Sequence, residues 1–338
     1  MTGPRRVLAL DVGGTKLAAA VVDGTGRVAG FRAVPADRHD GPDAMIERHV
    51  ALGREVVEDA AGGDWDSIDV VGVGVGGPLD PERGIVHSPP NLPGWDRIPL
   101  AEIVAAAFRR PTYVENDATA AALAEAWWGS GRGCGTFVYL TISTGIGGGI
   151  VVDGRLLRGA NGNAGELGHI SVDYRGWPCS GCGRRGCLEA FASGTNIAQR
   201  AREAIEAAVA AGHPERADGL LALAGSAQAI TAEHLSAAAA SGDPLATEIW
   251  NATTEVLGAG VATILDVFNP DRVALGGGVT RAGDALLVPV RRAALVAALP
   301  PAASAAEIVI AELGDRVGVA GAAAIALERS GSLSPVAR

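Results

Sequence analysis

Residues 6–24 read RVLALDVGGTKLAAAVVDG, and this stretch decides the fold class. Arg6 to Leu10 is a short apolar run that suits a buried strand, Asp11-Val12-Gly13-Gly14-Thr15 is a turn, and Leu17 to Val22 is a second apolar run closed by Asp23-Gly24. This predicts a hairpin leading into a β-meander. The same order recurs further along the chain: a strand Phe137 to Ile142, a turn Ser143 to Gly149, a strand Ile150 to Val152, a turn Asp153-Gly154, then Arg155 to Leu157. Two hairpin units of one design make a coarse internal repeat.

Between the hairpins the pattern predicts a helix near Ala44 to Ala60, a buried strand Asp69 to Val75, a Pro- and Gly-rich loop from Gly76 to Pro99 and a strand at Thr112 to Val114. Downstream, Gly194 to Ala211 and Asp243 to Val267 read as helices. Arg272 to Leu275 reads as a strand feeding Gly276-Gly277-Gly278, and Val319 to Glu328 as a closing helix. Helices alternate with strands, so the class is α/β. The Ala- and Gly-rich segment 210–241 predicts surface helices without a functional signal.

With 338 residues, the chain is long enough for two domains. Acidic side chains outnumber basic ones, 38 to 28, giving a formal charge of -10, and no basic surface cluster is visible, which argues against a nucleic-acid partner. Any phosphate must then be held locally. No run of eighteen apolar residues occurs, and the apolar stretch at the N-terminus is interrupted by Asp11 and two glycines. The expectation is therefore a cytoplasmic protein with neither a spanning helix nor a signal peptide. The sole lysine, Lys16, lies inside the first glycine turn. Composition bias accounts for it as well as a need for an ammonium there does.

Adjacent glycines let main-chain N–H groups converge on an anion, because no Cβ blocks the approach. Asp11, at a strand end, would face that anion through a cation such as Mg²⁺. Either glycine turn alone is more simply structural; the pair, with Thr15 and Thr144 as hydroxyl partners, reads as a two-sided polyphosphate grip. Gly72-Val73-Gly74-Val75-Gly76-Gly77 matches a dinucleotide fingerprint, but Pro78-Leu79-Asp80-Pro81 follows and cannot open the helix that the pyrophosphate needs. A Walker-type sequence is absent.

Glu115-Asn116-Asp117 ends a strand and opens the Ala-rich stretch 118–128, so Asn116 or Asp117 is an N-cap. A carboxylate there also suits a base for an alcohol attacking a phosphate. Glu166 and Glu189 are candidates for binding sugar hydroxyls, since each carboxylate offers several acceptor lone pairs. They flank His169, Cys179, Cys182 and Cys187, in the spacing H-x9-C-x2-C-x4-C. A disulfide would leave odd thiols in a reducing compartment, whereas four protein donors suit a structural Zn²⁺. Metal on one nitrogen of His169 fixes the ring, so the other nitrogen can meet a substrate hydroxyl.

With these pieces together the chain resembles the ROK family (repressors, open reading frames and sugar kinases), a branch of the actin-like ATPase superfamily. The resemblance runs from about Val7 to Glu328. It is carried by DVGGTK at 11–16, ENDATAAALAE at 115–125, TGIGGG at 144–149, GELGH at 165–169, GCLE at 186–189 and NPDRVALGGGV at 269–279.

The resemblance implies an α/β actin-like ATPase (ribonuclease H-like) fold with two domains and an interdomain cleft. The small domain would be 1–117, completed by about 315–338, and the large domain 118–314, with the zinc site and a dimer surface. It implies ATP-dependent phosphorylation of a hexose, glucose by similarity to bacterial glucokinases, at the 6-hydroxyl, with Asp117 accepting the proton. Asn116, Glu166, His169 and Glu189 would contact the sugar. Gly77 joins them in Val75-Gly76-Gly77-Pro78, where the family often has Pro in place of Gly. Asp11, Gly13, Gly14, Thr15, Lys16, Thr144 and Gly145 would hold ATP and Mg²⁺, with Gly276, Gly277 and Gly278 by the nucleoside.

A homodimer, or a tetramer, is expected. N-acetylmannosamine, N-acetylglucosamine, mannose and fructose remain open as substrates, and polyphosphate as donor. A sugar-responsive repressor is the reading from another class; the first strand begins within ten residues, which leaves no room ahead of it for a helix-turn-helix. The family commonly has C-x-C-x4-C, so Ser180-Gly181 lengthens the spacing by one and puts the ligand geometry in question.

Overall fold

The computed structural model describes residues 6–332. Strands β1 (Arg6–Val12), β2 (Lys16–Asp23) and β3 (Val28–Pro35) form a meander that leads into helix α1 (Gly41–Ala61) and strand β4 (Ile68–Val75). Three short strands follow, β5 (Leu79–Asp80), β6 (Ile85–His87) and β7 (Asp96–Ile98), then α2 (Leu100–Phe108), β8 (Thr112–Asn116) and α3 (Asp117–Trp128). A second meander comprises β9 (Thr136–Ile142), β10 (Ile146–Val152) and β11 (Arg155–Leu156). Helices α4 (Leu188–Ala192), α5 (Gly194–Ala210), α6 (Asp218–Ala224), α7 (Ala232–Ala240) and α8 (Pro244–Phe268) come next. The chain closes with β12 (Arg272–Gly276), α9 (Asp284–Ala297), α10 (Pro300–Ala305), β13 (Glu307–Ile310) and α11 (Val317–Arg329).

The internal repeat extends to whole sheets. One sheet has the order β3-β2-β1-β4-β8 and the other β11-β10-β9-β12-β13, so in each the first strand lies between the second and the fourth. In the first sheet β1 pairs antiparallel with β2 and parallel with β4, which in turn pairs parallel with β8. In the second, β12 and β13 are parallel.

The chain forms two compact units. The first takes the described residues up to Tyr139, Gly149–Gly165 and those from Ala311 onward; the second takes Leu140–Gly148 and Glu166–Ile310. Within the first unit, the period-two alternation of β1 divides its side chains between two cores. Leu8, Leu10 and Val12 pack with Met45, Val50 and Val56 of α1 and with Leu100 and Val104 of α2. Val7 and Ala9 pack with Val319, Ala322, Ala323 and Ala326 of α11. Each large aliphatic buried here contributes roughly 1.5–3 kcal/mol.

Small residues let α11 lie directly on its neighbours. A Cβ at Gly72 of β4 would stand 1.9 Å from the Ala322 carbonyl oxygen, and one at Gly321 would stand 2.7 Å from the Ala120 carbonyl carbon of α3. Helix α3 therefore lies with α11 in the first unit, whereas the boundary expected from sequence falls between 117 and 118, at its first residue. The buried Glu125 fixes the other end of α3. Its Oε2 accepts from Ser130 N (2.8 Å), Ser130 Oγ (2.7 Å) and Glu312 N (3.2 Å), and its Oε1 accepts from Leu313 N (2.8 Å).

In the second unit the long helix α8 starts with Asp243 accepting from Ala246 N and Pro244 in its first turn, and ends at Asn269 in the left-handed conformation. Gly258 gives room to Ala293 of α9 and Gly260 to Leu188 of α4. Segment 210–241 holds α6 and α7, as expected of helices with largely exposed faces.

Two local expectations are corrected. The loop expected over 76–99 contains the three-stranded sheet β5-β6-β7, whose strands of two or three residues are too short to show a period. The second glycine turn is confined to Ser143–Gly145, because β10 already begins at Ile146. Gly149 lies in that strand for a packing reason: a Cβ there would meet Ala122 Cβ at 2.5 Å and Thr119 Cα at 3.0 Å.

Candidate active site

Parallel pairing brings the chemistry-bearing residues of the first unit to one end of its sheet. The register places Asp11, Gly74 and Glu115 in one row, and Val12, Val75 and Asn116 in the next. These are the carboxyl ends of β1, β4 and β8, where open α/β sheets bind ligands. Asp117 follows as the first residue of α3.

Asn116 is the cap of α3, its Oδ1 accepting from Ala118 N (3.0 Å) and Thr119 N (3.1 Å). Asp117 Oδ1 also accepts from Ala118 N, at 2.8 Å. The two roles weighed from sequence therefore separate: Asn116 caps, and Asp117 sits in the first turn. Burial pushes the Asp117 carboxyl above its usual range, against the pull of backbone N–H groups. Burial, reinforced by the charge of Asp117 and opposed by Lys16, pushes Asp11 up to about 7. Gly318 leaves the space that Asp11 fills, since a Cβ there would stand 2.3 Å from its Oδ2. Gly77 borders Asn116 in the same way, with a Cβ at 77 falling 3.1 Å from Nδ2.

The DVGGTK turn is tight. Gly13 N–H closes it on the Lys16 carbonyl (3.0 Å), and a Cβ at Gly14 would stand 3.0 Å from the Asn91 carbonyl oxygen. Close packing thus accounts for glycine at both positions, alongside any anion. Thr15 is exposed and Lys16 half-buried at the start of β2.

Behind Asn116 and Asp117 lies a network that the sequence reading left without a role. Glu115 is buried; its Oε1 accepts from Asn116 N (3.1 Å), and its Oε2 faces Arg158 Nε at 3.3 Å. Arg158 also pairs with Glu328 of α11. Glu115 opens the ENDATAAALAE motif, but nothing in the sequence pairs it with an arginine forty-three positions away.

The second unit gathers the remaining candidates. The turn Ser143-Thr144-Gly145 is closed by Ser143 N–H donating to the Gly145 carbonyl at 2.9 Å. Gly277, with φ 87°, lies so close to the end of β9 that a Cβ would stand 2.4 Å from the Ile142 oxygen; Gly276 ends β12 and Gly278 opens a 3-10 turn. Glu166 immediately precedes the one-turn 3-10 helix Leu167–His169, which brings its Oε2 to 3.9 Å from His169 Nε2.

His169 turns its other nitrogen toward sulfur: Nδ1 lies 3.7 Å from Cys179 Sγ. Cys182 and Cys187 sulfurs are 3.5 Å apart, and all four donor atoms lie within 4.8 Å of one another. A tetrahedral Zn²⁺ with bonds of about 2.3 Å would hold its sulfurs about 3.8 Å apart, so the donor set fits zinc. Burial pushes the Cys179 thiol up to about 12, a cost that a bound cation offsets by taking the proton's place. The extra residue in the spacing is accommodated because it is glycine: a Cβ at Gly181 would stand 2.4 Å from Glu189 Oε1 and 3.2 Å from His169 Cε1. Glu189 itself is buried, its Oε2 accepting from Ile146 N at 2.8 Å and its Oε1 lying 3.5 Å from Cys179 Sγ.

The ROK family pattern matches residues 7–329. The chain belongs to the ROK family. It is 37% identical over 329 residues to a glucokinase of Thermotoga maritima, covering 96% of this chain and 98% of the relative. Among solved structures it is similar to a ROK glucokinase from Streptomyces griseus in complex with glucose and AMPPNP, with 35% identity, a TM-score of 0.81, and 96% and 99% of the two chains covered. A ROK transcriptional regulator, a homolog of the E. coli MLC protein, shares the fold at 29% identity and a TM-score of 0.78, this chain covering 78% of it. The ROK fold is the actin-like α/β architecture whose repeat is visible here as two sheets of identical strand order. Among the described residues no helix is long and apolar enough to cross a membrane.

Proposed function

We propose that this ROK protein is an ATP-dependent glucokinase, transferring the terminal phosphoryl group of ATP to the 6-hydroxyl of glucose. The observation that carries the reading is the Asp117 carboxyl, held above its usual range at the end of β8 beside Asn116 and across Gly74 from Asp11. A carboxylate raised above its usual range is a stronger base, which suits an alcohol that loses its proton late in the transfer. As the bond from the sugar oxygen to phosphorus forms and the bond to the ADP oxygen breaks, the hydroxyl proton passes to Asp117.

Asn116, Gly77, Glu166, His169 and Glu189 would bind the sugar, their acceptors suiting a neutral polyol. Asp11, Gly13, Gly14, Thr15, Lys16, Thr144 and Gly145 would hold the phosphates, with Gly276, Gly277 and Gly278 by the nucleoside. Mg²⁺ faced by Asp11 would supply charge neutralisation. His169, Cys179, Cys182 and Cys187 would hold a structural Zn²⁺ that fixes the imidazole, leaving Nε2 beside Glu166. A cytoplasmic homodimer or tetramer feeding glycolysis completes the reading. Glucose is preferred over N-acetylated sugars because the relative and the liganded structure matched over nearly their full lengths are glucokinases.

The test is a coupled ADP-release assay across glucose, mannose, fructose, N-acetylglucosamine and N-acetylmannosamine, with ATP and with polyphosphate as donors. Glucose with ATP is expected to give the highest kcat/KM. A higher value for any other pair reassigns the substrate or donor, and no turnover with any pair removes the kinase reading.

A further inference from the structure

The peptide of Ile146, the residue that ends the Thr144-Gly145 turn, is gripped on both sides by the segments that carry the metal ligands. On one side its N–H donates to Glu189 Oε2 at 2.8 Å. Glu189 lies two residues after Cys187, in the first turn of α4, and its other oxygen is 3.5 Å from Cys179 Sγ. On the other side, the Ile146 carbonyl abuts Gly168, where a Cβ would stand only 2.0 Å from that oxygen, and Gly168 adjoins His169. Gly145 is equally constrained, since a Cβ there would stand 2.6 Å from Glu189 Oε2. A third tie comes from the start of α5, where Gly194 N–H donates to the Ser143 carbonyl at 2.7 Å.

We propose that the His169–Cys179–Cys182–Cys187 cluster sets the conformation of the Thr144–Ile146 turn through Glu189 and Gly168, so that metal occupancy governs affinity for the nucleotide polyphosphate independently of sugar. This rests on the kinase reading, in which that turn holds phosphate. Glu189 is then a positioning residue for the turn, in addition to any contact with sugar. The physical reason is that the turn, exposed at Ser143 and Thr144, is held from both sides at its Ile146 end. Its amide and carbonyl directions follow from where Glu189 and Gly168 stand, and those follow from where His169, Cys179 and Cys187 are drawn together. A carboxylate accepting a backbone N–H forms a charge-assisted bond, stronger than a neutral one and directional. A cation held by the three sulfurs and the imidazole would draw these segments together, and without it the two grips on Ile146 would no longer be held at fixed separation.

The experiment is calorimetric titration of AMPPNP with Mg²⁺, in the absence of any sugar, into the zinc-loaded and the chelator-treated wild-type protein. Loaded Glu189→Gln and Glu189→Ala variants are titrated alongside, with metal content and circular dichroism recorded for each. Chelation is expected to weaken nucleotide binding by about tenfold or more, the scale of one charge-assisted hydrogen bond. Glu189→Ala should weaken it comparably while retaining metal, and Glu189→Gln, which keeps an acceptor for the Ile146 N–H, should restore most of the affinity. A nucleotide affinity indifferent both to the metal and to Glu189→Ala overturns the inference and leaves the kinase reading intact. If chelation unfolds the chain, the loaded variants decide alone. Loaded wild type that binds no nucleotide removes the kinase reading, and this inference with it.

Discussion

Asp11 and Asp117 stand at the ends of β1 and β8 with only Gly74 of β4 between them: a Cβ at 74 would lie 3.7 Å from Asp11 Oδ1 and 3.9 Å from the Asp117 Cα. Both are ordinary van der Waals distances, so Gly74 borders the two acidic residues directly. With no bulk between them, burial and the charge of Asp117 together bring Asp11 up to about 7. Two acidic groups this close favour a cation, or a proton, in their company.

Replacing Asp117 by Asn should therefore separate chemistry from binding. Asp117→Asn is expected to lower kcat by roughly 10²- to 10⁴-fold, the usual contribution of a positioned base, with the sugar dissociation constant little changed. The coupled assay and a sugar titration check this together. A kcat near that of the wild type would take the base role away from Asp117.

Cys182 is the exposed member of the His169–Cys179–Cys182–Cys187 cluster, whereas Cys179 and Cys187 are buried. Cys182→Ser should thus perturb the core least while removing a ligand. Loss of zinc by elemental analysis and a weaker affinity for sugar, through a freed His169 ring, are the expected results. An unchanged metal stoichiometry would reject the four-residue site.

His49 supplies a pH signature away from the Cys/His cluster. Its ring is buried, with Nε2–H donating to the Ala18 carbonyl at 2.8 Å, and burial holds its pKa down at about 4. An unfolded histidine titrates near 6.5, so between these values the unfolded chain binds a proton that the folded chain refuses. Stability is full above pH 6.5 and falls toward pH 4, by up to about 3 kcal/mol from this group. Urea midpoints of His49→Asn, which keeps an N–H donor without titrating, should lose that part of the slope. A slope equal to the wild type's would locate the acid sensitivity elsewhere.

Glu125 gives the clearest stability prediction. Truncation in Glu125→Ala leaves three backbone N–H groups and the Ser130 hydroxyl without their carboxylate, which should cost about 3 kcal/mol or more. Glu125→Gln keeps acceptors on one oxygen only and should fall between. Chemical denaturation of the three proteins checks the order, and equal midpoints for Ala and Gln would contradict it.

The hairpin at 6–24 and its echo at 137–157 are legible because strands buried on both faces leave continuous apolar runs, and the glycine turns mark where those runs end. So are Asp117 at the start of a helix and the convergence of His169, Cys179, Cys182 and Cys187, since helix starts and short spacings are local. Non-local partners are not. Arg158 meets Glu115, and Glu125 meets Glu312 and Leu313, through folding rather than proximity in the chain, and a carboxylate in ENDATAAALAE looks the same whether it caps, clamps or catalyses. Gly149 was misplaced in a turn because a glycine needed for close helix packing has the same letter as one needed for a bend. The small β5–β7 sheet was missed because three residues cannot display alternation.

Lys16 opens β2 immediately after the glycine turn, and no other side chain in the sequence ends in a primary amine. Amine-selective reagents therefore have one side-chain target in this sequence, beside the DVGGTK turn. On the kinase reading, mass-spectrometric labelling at that position, with and without nucleotide, would gauge occupancy of the first glycine turn without any engineered probe.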